Sequence, residues 1–77
     1  MVWNMPIKFS DHAIKQLRRR EITEEITLKV VKKPEEIILS YRDRKLRRSR
    51  INDKILEVVT KTEGSLITII TAYYLEE

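Results

Sequence analysis

The sequence predicts an α+β fold in which two N-terminal helices pack on one face of an antiparallel four-stranded sheet. Apolar residues recur with the helical period up to Pro34, and with a period of two beyond it. Short polar turns separate the alternating segments, which is typical of strands joined by hairpins. We expect a single domain over residues 1–77, with residues 1–8 available for a short leading strand and Trp3 covering the core.

The first predicted helix covers roughly residues 10–20. Ser10 is a good N-cap, because its hydroxyl can accept a hydrogen bond from an unpaired N–H group of the first turn. Phe9 and Ile14 then stand at the two positions of a hydrophobic staple. Leu17 continues an apolar stripe at helical spacing. The helix therefore buries one side and leaves the other for function.

The second predicted helix begins at Thr23 and ends before Pro34. Thr23 can cap it, and Glu24 and Glu25 lie in the first turn, where the helix dipole favours anions. The residue before a proline resists the helical conformation, so Pro34 stops the helix. The link between the two helices is short, and we expect a tight angled pair.

Four strands are predicted after Pro34, and they are joined by three polar turns. Asn52-Asp53 is a typical pair for a two-residue hairpin turn. The last strand is apolar on both faces, which favours a central, fully covered position. The predicted strands are Glu36–Arg42, Leu46–Ile51, Ile55–Lys61 and Leu66–Leu75, and the other turns are Asp43-Arg44-Lys45 and Glu63-Gly64.

Composition excludes several classes of function. The chain has no Cys and a single His, so we predict no cysteine-ligated zinc, no other metal site and no cofactor. Nucleotide-cofactor and zinc-peptidase motifs are absent from the sequence. Neither an 18-residue apolar run nor a signal peptide is present, and we expect a cytoplasmic protein with no membrane partner.

Positive charge is concentrated in two windows of the sequence. Residues 15–20 and 42–50 together hold ten of the sixteen Lys and Arg residues and only one of the twelve acidic residues. A surface that binds a polyanion requires such segregation, although runs of charge also occur on faces that only meet water. We therefore predict nucleic-acid contacts for the cations Lys15, Arg19, Arg42, Arg44, Lys45 and Arg47.

Two further features could carry chemistry. His12 stands in the first turn of the first helix, where the dipole favours a neutral imidazole able to act as a base. A histidine near a helix start is more often a local structural feature. Arg48 and Arg50 alternate onto one side of their strand, where their forked donors would suit phosphate. Tyrosines near them could stack on bases or simply close the core.

The residues together resemble a known family. The first half of the pattern is Phe9-Ser10-x-His12-Ala13, then Leu17, Arg20, Ile22-Thr23 and Pro34-Glu35. The second half is an Arg-bearing hairpin, Leu56-x-Val58-Val59 and Ile67-x-Ile69-Ile70-Thr71-Ala72-Tyr73. Taken together, these motifs resemble domain-of-unknown-function family 4258. That family is similar in architecture to the RelE/ParE and barnase-like toxins. It often has Arg at the position of Gln16 and Gly at the position of Glu21, so this sequence departs from it at two positions.

The resemblance implies a toxin-like protein that cleaves RNA without a metal or acts at the ribosome, held in check by an acidic antitoxin. It implies His12 as base or acid, with Arg20, Arg48 and Arg50 stabilising the phosphate. Thr71 or Tyr73 would orient the substrate. This hypothesis requires His12 and the arginines to converge on one concavity. The alternatives are a binding module for nucleic acid without catalysis, and a protein that only docks an acidic partner; a homodimer is compatible with each.

Overall fold

The computed structural model describes residues 6–75, and it is a five-stranded sheet with two helices on one face. The elements in chain order are β1 (Ile7–Phe9), α1 (Asp11–Arg19), α2 (Glu24–Lys32), β2 (Glu36–Leu39), β3 (Arg44–Ile51), β4 (Lys54–Glu63) and β5 (Leu66–Leu75). The α+β class, the two helices and the strands after them agree with the prediction. Trp3 lies outside the described residues.

The sheet has the four predicted antiparallel strands and, as β1, the short leading strand that the sequence allowed, which makes it mixed rather than wholly antiparallel. Its strand order is β1-β5-β4-β3-β2, and β1 pairs with β5 in parallel. The three hairpins dictate antiparallel pairing from β2 to β5, as predicted. Hairpin connections say nothing about β1, because its partner lies at the far end of the chain. Its three residues were too few for the sequence to show a period.

Both helices begin where their caps predict. The Ser10 hydroxyl accepts a hydrogen bond from the N–H of Ala13 at 3.0 Å, and the Thr23 hydroxyl accepts one from Ile26 at 3.1 Å. Ser10 also donates to the carbonyl of Ile70 at 3.3 Å, so the same side chain ties the start of α1 to β5. The Ser10 cap therefore both starts α1 and attaches it to the sheet.

The end of α1 has the hydrogen bonds of a Schellman motif. The N–H of Ile22 donates to the carbonyl of Leu17 at 2.9 Å, and the N–H of Glu21 donates to that of Arg18 at 3.2 Å. Glu21 has a φ of 56°, in the left-handed region. Ile22 and Leu17 both enter the core, which is the hydrophobic contact that accompanies the motif. Arg20, as the C-cap, is thereby placed at a defined position beside the sheet.

The core lies between the helices and one face of the sheet. Its members are Ala13, Leu17, Ile22, Val30 and Val31 from the helical half, with Leu56, Val58, Ile67, Ile69 and Ala72 from β4 and β5. We call the opposite side of the sheet the open face, because no helix among residues 6–75 covers it. β5 is therefore interior within the sheet but uncovered on one face, contrary to the prediction of full cover. On that side Tyr73 and the threonines of β5 are only partly buried, whereas Tyr74 packs against the core.

The turns set the strand register. Asn52 and Asp53 form the two-residue turn between β3 and β4, as predicted, with Ile51 opposite Lys54. The turn before β3 falls at Arg42–Asp43, where both residues have positive φ, so β2 ends at Leu39 rather than at Arg42. The last turn is at Gly64 and Ser65, one residue later than predicted, because Gly64 takes the left-handed conformation at φ 59°.

A bulge divides the pairing of β4 with β5. Val59 lies opposite Thr71 while Thr60 lies opposite Ile69, so Ile70 is the extra residue. Since side chains alternate along a strand, the extra residue reverses the faces of everything after it. Ile69 faces the helices, whereas Thr71 and Tyr73 face the open side. No helix of residues 6–75 has the length and apolar character needed to cross a membrane.

Candidate active site on the open face

One row of polar side chains crosses the open face of the sheet. In the strand register Glu36 lies opposite Arg48, Arg48 lies opposite Glu57, and Glu57 lies opposite Tyr73. Arg20 completes the row at the β5 side. We call Arg20, Tyr73, Glu57, Arg48 and Glu36 the polar row. Four sheet strands and the end of a helix thus bring five side chains of complementary chemistry into contact.

Glu57 is the centre of the row and its most buried member. Its side chain is 3% exposed, although it stands on the face that the helices leave uncovered. Neighbouring side chains cover it, and both carboxylate oxygens have partners: Arg48 donates to Oε1 and the hydroxyl of Tyr73 donates to Oε2. A buried carboxylate that keeps two strong donors is satisfied as an anion.

Arg48 holds Glu57 from the β3 side. Its Nε lies 2.5 Å from Oε1 of Glu57, and its Nη1 lies 3.5 Å from Oε1 of Glu36. The hydrogen bond to Glu57 is the main cause that raises the pKa of Arg48 above its usual range, so the guanidinium is permanently charged. The side chain is 28% exposed, which leaves part of the guanidinium open to a ligand.

Tyr73 holds Glu57 from the β5 side. Burial, and then the hydrogen bond donated to Glu57, raise the pKa of Tyr73 to about 12. The phenol therefore keeps its proton at neutral pH and acts as a donor. Arg20 stands over the ring, with its guanidinium carbon 5.9 Å from the ring centroid.

Arg20 reaches the row from the end of α1. β1 pairs with β5 only as far as Ile69, so the later part of that edge is not covered by a strand of the described chain. Arg20 binds to this free part of the edge, where its Nη1 donates to the carbonyl of Ala72 at 2.9 Å and to the hydroxyl of Thr71 at 3.3 Å. These bonds hold a second cation beside Tyr73 while the residue as a whole stays exposed.

The predicted site residues divide between the two sides of the sheet. Arg20, Arg48 and Tyr73 meet in the polar row, and Arg50 follows Arg48 on the same face. His12 does not meet them. It is exposed on α1, in the helical layer, while Arg48 and Arg50 project from the opposite face. The convergence that the hypothesis requires of His12 is absent, because the helix turns only Ala13 and Leu17 toward the sheet.

The cations predicted to bind nucleic acid are dispersed. Lys15 and Arg19 are exposed on α1, and Arg42, Arg44 and Lys45 line a depression at the turn between β2 and β3. Arg47 is not on the surface: it is 8% exposed and donates to the hydroxyl of Thr60 at 3.1 Å and to the carbonyl of Val31 at 3.2 Å. Burial lowers its pKa. Arg47 therefore joins β3 to the end of α2 instead of facing a ligand.

Glu57 is the residue that the sequence-based prediction omits. A charged residue inside the apolar run Ile55–Thr60 is a signal in itself, because such residues are rarely buried without a partner. The Asn52-Asp53 turn also fixes the pairing of Arg48 with Glu57, because Arg48 precedes the turn by as many residues as Glu57 follows it. The partner was therefore predictable. Its contact with Tyr73 was not, because that contact depends on the bulge at Ile70.

Comparison with known families places the chain in one of them. The model of DUF4258, a domain of unknown function, matches residues 9–74. The chain belongs to the DUF4258 family. The match spans the whole polar row, from Arg20 to Tyr73. No curated protein and no solved structure matches the chain. The DUF4258 assignment supports the family part of the resemblance and leaves its activity to be argued from the site.

The two departures from the DUF4258 pattern lie on or beside α1. Glu21 has the left-handed conformation that a glycine would adopt without steric cost, which explains why Gly suits that position. Gln16 is part-buried on α1 and is not a member of the polar row. Among residues 6–75 there is also no group of three His, Asp or Glu side chains placed to hold a metal ion.

Proposed function

We propose that this chain is a ribonuclease that binds RNA on the open face of its sheet and cleaves it with the side chains of the polar row. The observation that carries the proposal is Glu57, a buried carboxylate held between the guanidinium of Arg48 and the hydroxyl of Tyr73. A base, a proton donor and two cations are the groups that phosphodiester transfer requires. The polar row brings these groups into contact on a face that no helix of residues 6–75 covers.

The chemistry begins at Glu57. The 2′-hydroxyl of RNA displaces Tyr73 from the carboxylate and gives its proton to Glu57 as the 2′-oxygen attacks phosphorus. The bond from phosphorus to the 5′-oxygen breaks, and Tyr73 donates its proton to that oxygen. An alkoxide is a stronger base than a phenolate, so this transfer is favourable even from a phenol with a raised pKa. The products are a 2′,3′-cyclic phosphate and a 5′-hydroxyl.

The same pair of residues restores itself. Protonated Glu57 returns its proton to the Tyr73 phenolate, which regenerates the hydrogen bond seen in the structure. Arg48 and Arg20 flank this pair, one on each side, where they can stabilise the charge that develops on the phosphate. Arg50, exposed on the same face, extends the cationic surface along β3 for a neighbouring phosphate.

Within this proposal the chain is a toxin of the RelE/ParE type. The support is the resemblance of its motifs and the arrangement of two helices on a sheet. Its substrate would be RNA, free or at the ribosome, in the cytoplasm, and an acidic antitoxin would be its inhibitor. A cationic open face suits both the RNA and such an inhibitor.

Cleavage of RNA by the purified protein in the presence of EDTA tests the proposal. We expect Glu57→Gln and Tyr73→Phe each to reduce the rate by about a hundredfold to ten-thousandfold, as loss of a general base or acid does. His12→Ala is the matched control and should keep the wild-type rate, because His12 lies in the other layer. Products ending in a cyclic phosphate would support the mechanism. Equal loss in His12→Ala, or full activity of Glu57→Gln, would contradict it.

The second candidate function is RNA binding without cleavage. The observation that favours it is that both oxygens of Glu57 already have partners, as in a structural ion pair. It predicts intact RNA and binding that weakens with salt, with a slope near −2 in log K against log [salt] if Arg20, Arg48 and Arg50 each contact a phosphate. Arg50→Ala should make that slope less negative, because one phosphate contact is lost. Arg19→Ala, on the helical side, should leave it unchanged.

A further inference from the structure

The edge strand β2 presents an apolar surface. β2 lies at one edge of the sheet, and among residues 6–75 no strand pairs with its outer side. Ile37, Leu39 and Tyr41 are 48%, 76% and 78% exposed, and they are the large apolar residues most exposed in this part of the chain. Exposed edges with apolar side chains are templates for pairing with another strand.

The hydrogen-bonding groups of this edge have a definite direction. The N–H of Ser40 donates to the carbonyl of Arg44 at 2.8 Å, so residue 40 directs its backbone groups toward β3. Along a strand these directions alternate from residue to residue. Ile38 therefore also bonds toward β3, while Ile37 and Leu39 direct their N–H and C=O groups outward.

We propose that β2 pairs with β2 of a second copy of this chain, antiparallel and centred on Ile38. In that register Ile37 of each copy lies opposite Leu39 of the other. The two residues with outward groups then exchange N–H···O=C bonds, and Ile38 faces its own counterpart at a non-hydrogen-bonded position. The edge is self-complementary, as the shared surface of a two-fold dimer must be. The pairing would join two sheets into one of ten strands.

The side chains agree with this register. Ile37 and Leu39 share a face of the sheet, so each apolar residue gains the other as a cross-strand neighbour. The two-fold axis also brings the acidic start of one strand, at Glu35 and Glu36, beside the opposite end at Ser40 to Arg42 of the second copy. We identify the partner as a second copy because the same short segment supplies the apolar side chains and the outward hydrogen-bonding groups on both sides of the pairing.

The first test is the molar mass of the protein, measured by light scattering as it elutes from a size-exclusion column, over a range of concentrations. The paired segment is short, and we expect a dimer that dissociates at micromolar concentrations. Leu39→Lys should give the mass of a monomer at every concentration, because an edge lysine opposes pairing. Ser65→Lys adds the same charge at an exposed turn and should dimerise like wild type.

Single cysteines test the register, since the natural chain has none. Ile38→Cys should form a disulfide-linked dimer under mild oxidation, because the Cα atoms of such a pair are about 4.5 Å apart. Ile37→Cys is the matched control. Its two copies would lie about 8 Å apart across the axis, beyond the reach of a disulfide. Cross-linking of both variants to the same extent would overturn the register.

A monomeric wild type at all concentrations would overturn the proposal. So would an added acidic peptide that binds wild type but not Leu39→Lys while no dimer forms, because the edge would then serve another kind of chain. Both readouts are independent of RNA cleavage, so the dimer and the ribonuclease can fail separately.

Discussion

At the scale of single residues, the main feature is a carboxylate in an unusual place. Glu57 is buried on the side of the sheet that the helices leave open, and its two carboxylate oxygens accept hydrogen bonds from Arg48 and Tyr73. Desolvation makes an unpaired buried carboxylate costly, so each donor is needed for stability as well as for the proposed chemistry. The two roles can be separated by measuring stability and cleavage on the same variants.

Removal of Arg48 should be more costly than removal of its neighbour on the same face. Arg48→Leu leaves Glu57 buried without its cation, and we expect a loss of about 3 kcal/mol in the free energy of unfolding. Arg50→Leu, at an exposed position, should change it by less than about 0.5 kcal/mol. The double variant Arg48→Leu/Glu57→Leu should recover most of the loss. Urea denaturation measures all four proteins, and equal effects of the two single arginine changes would refute the buried pair.

Tyr73 should make stability depend on pH above 10. Its pKa is about 12 in the folded chain against 10.0 for an ordinary tyrosine, so folding favours the protonated phenol. Its contribution to stability is complete below pH 10 and is lost as the pH rises through 12. The difference in unfolding free energy between wild type and Tyr73→Phe should shrink over that range. The chain has three tyrosines, so the difference in phenolate absorbance between wild type and Tyr73→Phe gives the midpoint of Tyr73. A midpoint near 10 would contradict both the burial of Tyr73 and its contact with Glu57.

At the scale of elements, the register of two hairpins assembles the polar row. The Asn52-Asp53 turn aligns Arg48 with Glu57 because each residue counted back from the turn meets one counted forward. In the hairpin of β4 and β5, an uninterrupted register continued from Thr60 opposite Ile69 would place Ala72 opposite Glu57. The bulge at Ile70 adds one residue and places Tyr73 there instead. The row therefore depends on one regular hairpin and one interrupted hairpin.

The end of α1 offers a stabilising change. Glu21 has a φ of 56°, a conformation that costs a residue with a Cβ about 1 kcal/mol. Glu21→Gly should raise the free energy of unfolding by about that amount, because the Schellman motif already favours glycine there. Glu21→Ala removes the same side chain but keeps the Cβ, and it should give no such gain. Thermal unfolding distinguishes them; equal melting temperatures for both variants would mean that backbone strain is not the cause.

At the scale of the whole molecule, the sheet separates two kinds of surface. The helices cover one face and form the core, together with the buried bonds of Arg47. The open face has the polar row, and the free edge of β2 has the apolar residues proposed to pair with a second copy. The surface proposed to bind RNA and the edge proposed to pair with a second copy therefore lie on different parts of the sheet, apart from Glu36, which belongs to the polar row and also stands in β2. Substitutions away from Glu36, such as Leu39→Lys and Tyr73→Phe, change one surface without touching the other.

The sequence by itself determined the class of the fold, both helices and most of the pairing of the strands. Those features follow from local causes: caps at Ser10 and Thr23, the change of period at Pro34, and a two-residue turn at Asn52-Asp53. The sequence-based candidates Arg20, Arg48 and Tyr73 are three of the five members of the polar row.

Only the tertiary structure decided which of the charged residues lie together. His12 and Arg48 lie on different sides of the sheet because the layer of a helix is set by packing that no local pattern specifies. The parallel pairing of β1 with β5 joins the two ends of the described chain, and the bulge at Ile70 turns Tyr73 to the open face. Long-range pairing and one extra residue in a strand decide such contacts, and neither has a periodic signal in the sequence.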